Sequence, residues 1–496
     1  MQKKQTILVV ASLLVVVLSV TLAYFTAQII GKGKIVTINS ADLKIIFTDS
    51  DGSISGTNIE PGKWNVTKTF TIENKSNETY KYNIVIQDLV NTFVTNGYLQ
   101  YKITSTNGGY NMTEFKDVPK SETATDTILA YSVSISVGVT QSYTVEFKYA
   151  NDESVDQSND MGKKLSGTLF ITEGTEDPNK TLYNQLLVDK STKLTRTDFS
   201  KVLTDNNTNT LYTGVEDSKT VYYFAGNATD NWVKFGKNAS NQDLYWRIIR
   251  TNSDGSVRLL YHGTSTTTTD AYIGTSAFNS SYDNIAYVSY MYGSLGSISS
   301  ARENTNNSTI KTTIDNWYIS NLEAKGYTKY LSTTAVYCND RSISSDSINF
   351  GAFTRLGTNK TPSYDCAARE DKFTVDTSTG NGKLTYPIAL MTADEVSFAG
   401  GLYGANTPTW YYYNSVNDSS TGSKFWWLLS PLDSSTSGSS MFIVRGSSNP
   451  GRLNYNYVNS NNGVRPALSL KSCVKYSSGD GSANEPYTIK ETETGC

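Results

Sequence analysis

The stretch Phe425–Pro431, FWWLLSP, decides how this chain is read, together with Phe442–Arg445 (FIVR) and Gly463–Leu470 (GVRPALSL). A Trp carries a large apolar area and one N–H that needs a partner when buried, so a Trp pair anchors a core. The Ser-Pro step reads as a stop. The two later words alternate apolar and polar as strands do. Between them, Gly446–Asn462 has almost nothing to bury and reads as an exposed loop. The combination implies a packed β framework that displays a polar, aromatic surface.

Working outward, Tyr222–Ala225, Tyr245–Arg250 and Val257–Tyr261 read as strands. Asn252-Ser253-Asp254-Gly255 is the turn between the last two. A helix is expected over Thr309–Leu322, because Ile310, Ile314, Trp317 and Tyr318 recur at helical spacing, with Ser308 as its cap. A second follows Tyr386–Met391. Thr392-Ala393-Asp394-Glu395 is a capping box, and Gly400-Gly401 ends the segment. Asp394 and Glu395 are thereby explained as helix-start residues that complement the dipole.

These words resemble the C-terminal part of C-type-lectin-like domains of the formylglycine-generating-enzyme type. There a Trp-rich strand, a Gly-containing loop and a final Gly-Val-Arg strand close the domain. Trp246-Arg247-Ile248-Ile249 and the ending Ser478-Gly479-Asp480-Gly481-Ser482, Pro486-Tyr487 extend the resemblance over roughly 211–496. It implies an α+β lectin-like domain. Enzymes of that type use two cysteines near the C-terminal strands to hold copper. No Cys lies between Cys366 and Cys473 here, and Ser430, Ser447 and Ser448 occupy that region. Oxidase activity is therefore not expected, and no cofactor or metal is assigned.

The 496 residues are too many for one ordinary core, so two or three domains are expected. Charged residues are only 18% and tyrosines number 34, a balance that suits an extracellular β-rich protein. A net charge of −3 gives no field for nucleic acid. The one histidine, His262, excludes a histidine-based metal cluster within the chain. As a general base it lacks a Gly-x-Ser-x-Gly partner. It is read instead as a histidine at a strand end bonded to backbone.

Lys3 and Lys4 precede the uncharged run Thr6–Ala23, the order of a secretory signal. A stretch of about 20 apolar residues also suffices to span a bilayer. Residues 1–30 are thus a signal peptide cleaved after Ala23, or a retained anchor that makes the membrane a partner. Residues 31–175 hold seven strand-like runs: Leu43–Thr48, Thr67–Glu73, Tyr80–Ile86, Tyr98–Thr104, Thr127–Ile135, Ser142–Tyr149 and Gly167–Thr172. Such spacing signals a β-sandwich. Glu60-Pro61-Gly62 and Ile72-Glu73-Asn74-Lys75-Ser76-Asn77 resemble a hairpin of bacterial surface Ig-like and camelysin-like domains. No HExxH or other ligand cluster accompanies it, so no protease is implied. Asp49-Ser50-Asp51-Gly52-Ser53 reads as a hairpin turn rather than a calcium loop. Residues 176–210 form a helical connector, with Leu182, Tyr183, Leu186 and Leu187 on one helical face and another turn at Asp198–Leu203.

Four cysteines allow three pairings. Export favours disulfides, and Cys338–Cys366 with Cys473–Cys496 would each close a local loop. The fold expected is mainly β: signal or anchor helix, Ig-like sandwich, then the lectin-like domain over 211–496. Function is expected in the Asn/Tyr-rich tract: Ser447, Ser448, Asn449, Arg452, Asn454, Tyr455, Asn456, Tyr457, Asn459, Asn461 and Asn462. Such mixtures combine rigid aromatic area with adaptable hydrogen bonds. The position of the tract resembles the display surface of variable proteins of diversity-generating retroelements, which share the lectin-like fold. In a strand, Tyr455 and Tyr457 share one face and Asn454 and Asn456 the other. Arg465 should pair with a buried acid. The expected role is a non-catalytic cell-surface binder of a glycan or protein. The alternatives are a biofilm-matrix or structural surface protein and, further off, a formylglycine-generating-type enzyme.

Overall fold

The computed structural model describes residues 35–39, 44–49, 54–56 and 61–496, less 113, 179, 191, 269–270, 344–348, 412, 415–424, 436–437 and 447–448. The expected leader, residues 1–30, lies outside them. Among the described residues no helix is long and apolar enough to cross a membrane. The chain divides into two compact units, Met1–Pro178 and Asn179–Cys496. Strand makes up 40% and helix 14%, so the protein is mainly β.

The first unit holds two antiparallel sheets. One has six strands, in the order Ile35–Asn39, Lys44–Asp49, Asn65–Asn74, Thr140–Tyr149, Leu99–Ser105 and Lys116–Asp117. The other has four: Ile54–Gly56, Leu165–Glu173, Tyr80–Asn91 and Ser121–Ile135. Their strength lies in the period-2 pattern. Along Thr140–Tyr149, Tyr143, Val145, Phe147 and Tyr149 are all buried, and the residues between them are not. They meet Ile84, Ile86 and Phe170 from the other sheet in one core. Seven strands lie where the alternation places them. The Asp49–Ser53 hairpin does not hold. Residues 50–53 are outside the described set, but the strands on either side pair with different partners. Lys44–Asp49 lies against Asn65–Asn74, and Ile54–Gly56 lies against Leu165–Glu173. The two strands therefore do not pair with each other, since an Asp-Gly turn signal favours a bend but does not choose the partner that follows it.

The second unit is built around Pro466–Leu470, every residue of it buried. This strand pairs with Val257–Gly263 on one side and Ile388–Leu390 on the other. Val257–Gly263 pairs in turn with Asp243–Thr251, which links the rest of a ten-stranded sheet. A five-stranded sheet carries Thr275–Ser276, Asn462–Gly463, Trp426–Ser435, Gly438–Val444 and Leu453–Tyr457. The Ser-Pro step does not stop the Trp strand. Register shifts flank Pro431 and the strand runs on to Ser435, since a proline without an N–H is tolerated where a bulge interrupts the ladder. Trp426 and Trp427 are completely buried, and Trp427 Nε1 donates to the Ser276 carbonyl at 2.8 Å.

The helix Thr309–Tyr318 forms with Ser308 as its cap, and Ile310, Ile314 and Tyr318 face the core. The capping box at Thr392 starts the helix Ala393–Phe398. The connector is not separate from the second unit. Leu182 and Leu186 of the helix Leu182–Asp189 enter its core, and Thr192–Thr195 adds a strand parallel to Thr210–Glu216. Asp198–Leu203 is not helical, because Asp198 takes the Ser200 N–H and hydroxyl and closes a local turn instead. Cys338 joins Cys366 and Cys473 joins Cys496. Loops of this length gain about 3 kcal/mol from closure.

The first unit has a core of its own, so residues 35–175 expressed alone are expected to give a β-type circular dichroism spectrum and one cooperative melt. A helical or unfolded spectrum would refute its independence.

Candidate functional site

Three places in the second unit concentrate chemistry. The first is a buried cluster of ions. Glu395 Oε1 accepts from Arg250 Nε at 2.9 Å and from a terminal nitrogen of Arg258 at 2.8 Å. Arg250 reaches on to Glu216 at 2.7 Å. Beside them Arg355 clamps Asp394 through two contacts of 3.0 Å and meets Asp340 at 2.7 Å. Asp394 and Glu395 therefore do more than cap a helix, which corrects the local reading. Burial pushes the Glu395 carboxyl up, but Arg258 and Arg250 outweigh it and hold the group below its ordinary range. Arg250 does the same for Glu216. The cavity among these residues measures about 20 Å³ and is lined by Arg258 and Tyr364, whose Nε and hydroxyl have no hydrogen-bond partner. That is room for about one water. The cluster ties the helix start to two neighbouring strands.

The second place is His262. Its ring is fully buried, edge-on to Trp232 at 4.4 Å. Among the described residues neither ring nitrogen has a hydrogen-bond partner, the expected backbone carbonyl included. Burial first, then Arg247 and Arg465, drive its pKa well below the ordinary 6.5. The imidazole is therefore neutral and enclosed at ordinary pH. Arg465 donates to the Tyr261 carbonyl and lies over the Trp426 ring at 4.7 Å.

The third place is a face of the five-stranded sheet. Leu453–Tyr457 is a strand, so the tract is less of a loop than its composition implies, and Leu453 and Val458 are buried. In direct register across three strands lie Asp433, Ser440 and Tyr457. The next row pairs Phe442 with Tyr455. Residues directly opposite one another point to the same side of a sheet, so Asp433, Ser440, Phe442, Tyr455 and Tyr457 share a face. Tyr455 is 40% and Tyr457 44% exposed. Tyr282, 42% exposed, leans on Tyr457 with ring centroids 5.8 Å apart. Gly438 makes that approach possible: a Cβ there would sit 2.4 Å from the Tyr282 ring, and its φ is +136°. At the other end Tyr403 stands edge-on to Phe442 at 5.9 Å and is braced by Phe353 at 5.5 Å. Asp433 is half-buried. Burial raises its carboxyl, and a hydrogen bond with the Ser440 hydroxyl opposes the rise.

The residues expected from sequence divide by face. Tyr455 and Tyr457 are on the exposed side. Asn454 and Asn456 are half-buried on the other, where Asn456 donates to Asn462 at 3.3 Å and accepts from Ser460. Asn462 is buried, so it supports the tract rather than presenting itself. Asn459 and Asn461 are exposed beyond the strand. Arg452 donates to Asn406 at 2.9 Å, and Asn449 closes a turn on Gly446. Ser447 and Ser448 lie outside the described residues. Tyr282, Tyr403 and Asp433 were not read as site residues. No local pattern marks them, since the strand register alone brings them to Tyr455 and Tyr457.

No protein-family model, no curated protein and no solved structure matches this chain.

The pH dependence of stability follows from these groups. Glu216 and Glu395 titrate below the 4.5 of an unfolded glutamate. Their contribution is complete above that pH and is lost as pH falls through the lowered folded values. His262 is also depressed, so on acidification the unfolded chain takes up its proton first, from 6.5 downward. Stability is expected to decline below pH 6.5 and more steeply below 4.5. His262→Leu should flatten the upper part of that decline and leave the lower part. Urea unfolding over a pH series tests this; an unchanged upper slope in the variant would show that His262 is not held neutral.

Proposed function

We propose that this is an exported surface protein whose second unit, with a C-type-lectin-like fold, binds an extracellular glycan or protein through the tyrosine face. On this reading residues 1–30 are a signal peptide or membrane anchor, and the first unit is an Ig-like sandwich between that segment and the binding unit. The observation that carries it is the exposure of Tyr282, Tyr455 and Tyr457 together on one side of a rigid sheet. A monomeric fold gains by burying such rings, and interface hot spots favour tyrosine. Two disulfides fit an oxidising, extracellular compartment. Binding is preferred to catalysis because Asp433 stands without a second carboxylate in its register row, and His262 is sealed and neutral.

The test is to screen the purified chain against arrays of extracellular glycans and matrix proteins, then to repeat each hit with Tyr455→Ala/Tyr457→Ala. Losing one hot spot costs about 2 kcal/mol, so the double variant should bind at least about 30-fold more weakly. Its urea midpoint should barely move, because surface changes stay within about 0.5 kcal/mol. His262→Leu should bind normally. Normal binding by the tyrosine variant, with loss in His262→Leu, would reverse the assignment.

A further inference from the structure

Asp433 differs from the other enclosed carboxylates of the second unit. Glu216, Glu395, Asp394 and Asp371 each meet an arginine at 3.0 Å or less. Asp254, which is exposed, has no cation among the described residues but collects the Ser256 N–H and three hydroxyls, those of Ser256, Ser332 and Thr334. Asp433 has the hydroxyl of Ser440 and, among the described residues, no cationic partner. A half-buried carboxylate with no cation beside it among the described residues can take a positive group from outside. The surroundings favour such a group. Tyr457 is in its register row and the Tyr403 ring is within electrostatic reach. Aromatic faces attract cations.

The remainder of the surface selects the kind of molecule that carries the charge. Every large apolar side chain exposed on this face is a tyrosine. The exposed aliphatic residues of the unit, such as Val188, Leu194, Val215 and Ile319, stand on other elements. A protein partner is held by buried apolar anchors in a close-packed patch. Open ring faces bordered by hydroxyls and amides suit a polyol whose flat C–H faces stack on them. Tyr455 and Tyr457 stand two strand residues apart, about 7 Å, a spacing that neighbouring sugar rings can follow.

We infer that the ligand of this face is a glycan bearing free amino groups, with an ammonium on Asp433 and sugar rings on Tyr282, Tyr455 and Tyr457. The inference rests on the binding role proposed for the face and names its substrate class.

The test titrates the full chain, at a pH where sugar amines are protonated, with three probes: a glucosamine oligosaccharide, its fully N-acetylated counterpart and an oligolysine peptide. The wild type is compared with Asp433→Asn and with Tyr455→Ala/Tyr457→Ala. The aminated glycan should bind best, about tenfold or more above the acetylated one. Asp433→Asn should remove that preference, so that the two glycans bind with similar affinity. The tyrosine variant should weaken both. Equal affinity for the two glycans, unaffected by Asp433→Asn, would overturn the ammonium assignment while leaving the face as a binding site. Oligolysine bound more tightly than either glycan, through Asp433, would make the ligand a basic protein instead. If neither glycan binds but the arrays yield another Tyr455/Tyr457-dependent ligand, the substrate class fails and the face survives. If no ligand depends on those tyrosines, both readings fail.

Discussion

One carboxylate holds the second unit in register. Glu395 closes its own helix start by accepting the Thr392 N–H at 2.9 Å, and it accepts from Arg250 and Arg258 on two neighbouring strands. Helix Ala393–Phe398 is short and would be marginal by itself. Charge-assisted bonds fix where it lies against the sheet. Because the group is fully enclosed, loss of either side of the bargain would leave a buried charge, at about 3–5 kcal/mol. The disulfide Cys338–Cys366 then fastens the loop that carries Tyr364, whose ring stacks on Phe398 at 3.9 Å and covers Arg250 at 4.3 Å.

From that fixed frame the position of the candidate face follows. Leu429 N–H donates to the Met391 carbonyl at 2.8 Å, and Ser430 accepts from Ala393 N–H. These bonds tie the Trp strand to the residues that begin the Glu395 helix. Trp426 and Trp427 bury the strand, and its continuation past Pro431 sets the height of Asp433 beside Ser440. The tyrosines thus stand on an element pinned at several points. For the binding role proposed here, such pinning would lower the cost of ordering the rings around a ligand.

Much of this architecture was legible where the information is local. Seven strands of the first unit follow from period-2 alternation, and the two main helices from spacing and caps. The disulfide pairing was readable because each pair closes a short loop. What escaped is non-local. Asp394 and Glu395 sit in a complete capping box, and nothing nearby announces arginines 145 and 137 residues away that also claim Glu395. The Asp49–Ser53 segment carries an ordinary turn signal, yet the strands around it belong to different sheets. Half of the candidate face was visible as a Tyr/Asn tract. Tyr282 and Tyr403 carry no such mark, because only pairing across the sheet brings them there.

The contrast between the two acidic sites completes the physical picture. Glu395 is fully buried and Asp433 half-buried, and their neighbourhoods are joined by the bond from Leu429 N–H to the Met391 carbonyl. The first is held low by two guanidinium groups, so its charge is satisfied within the fold. The second is raised by burial and met by one hydroxyl. A fold selected for stability alone would pair or expose such a carboxylate. On the proposed reading, a ligand's positive group would supply what the described residues leave out at Asp433.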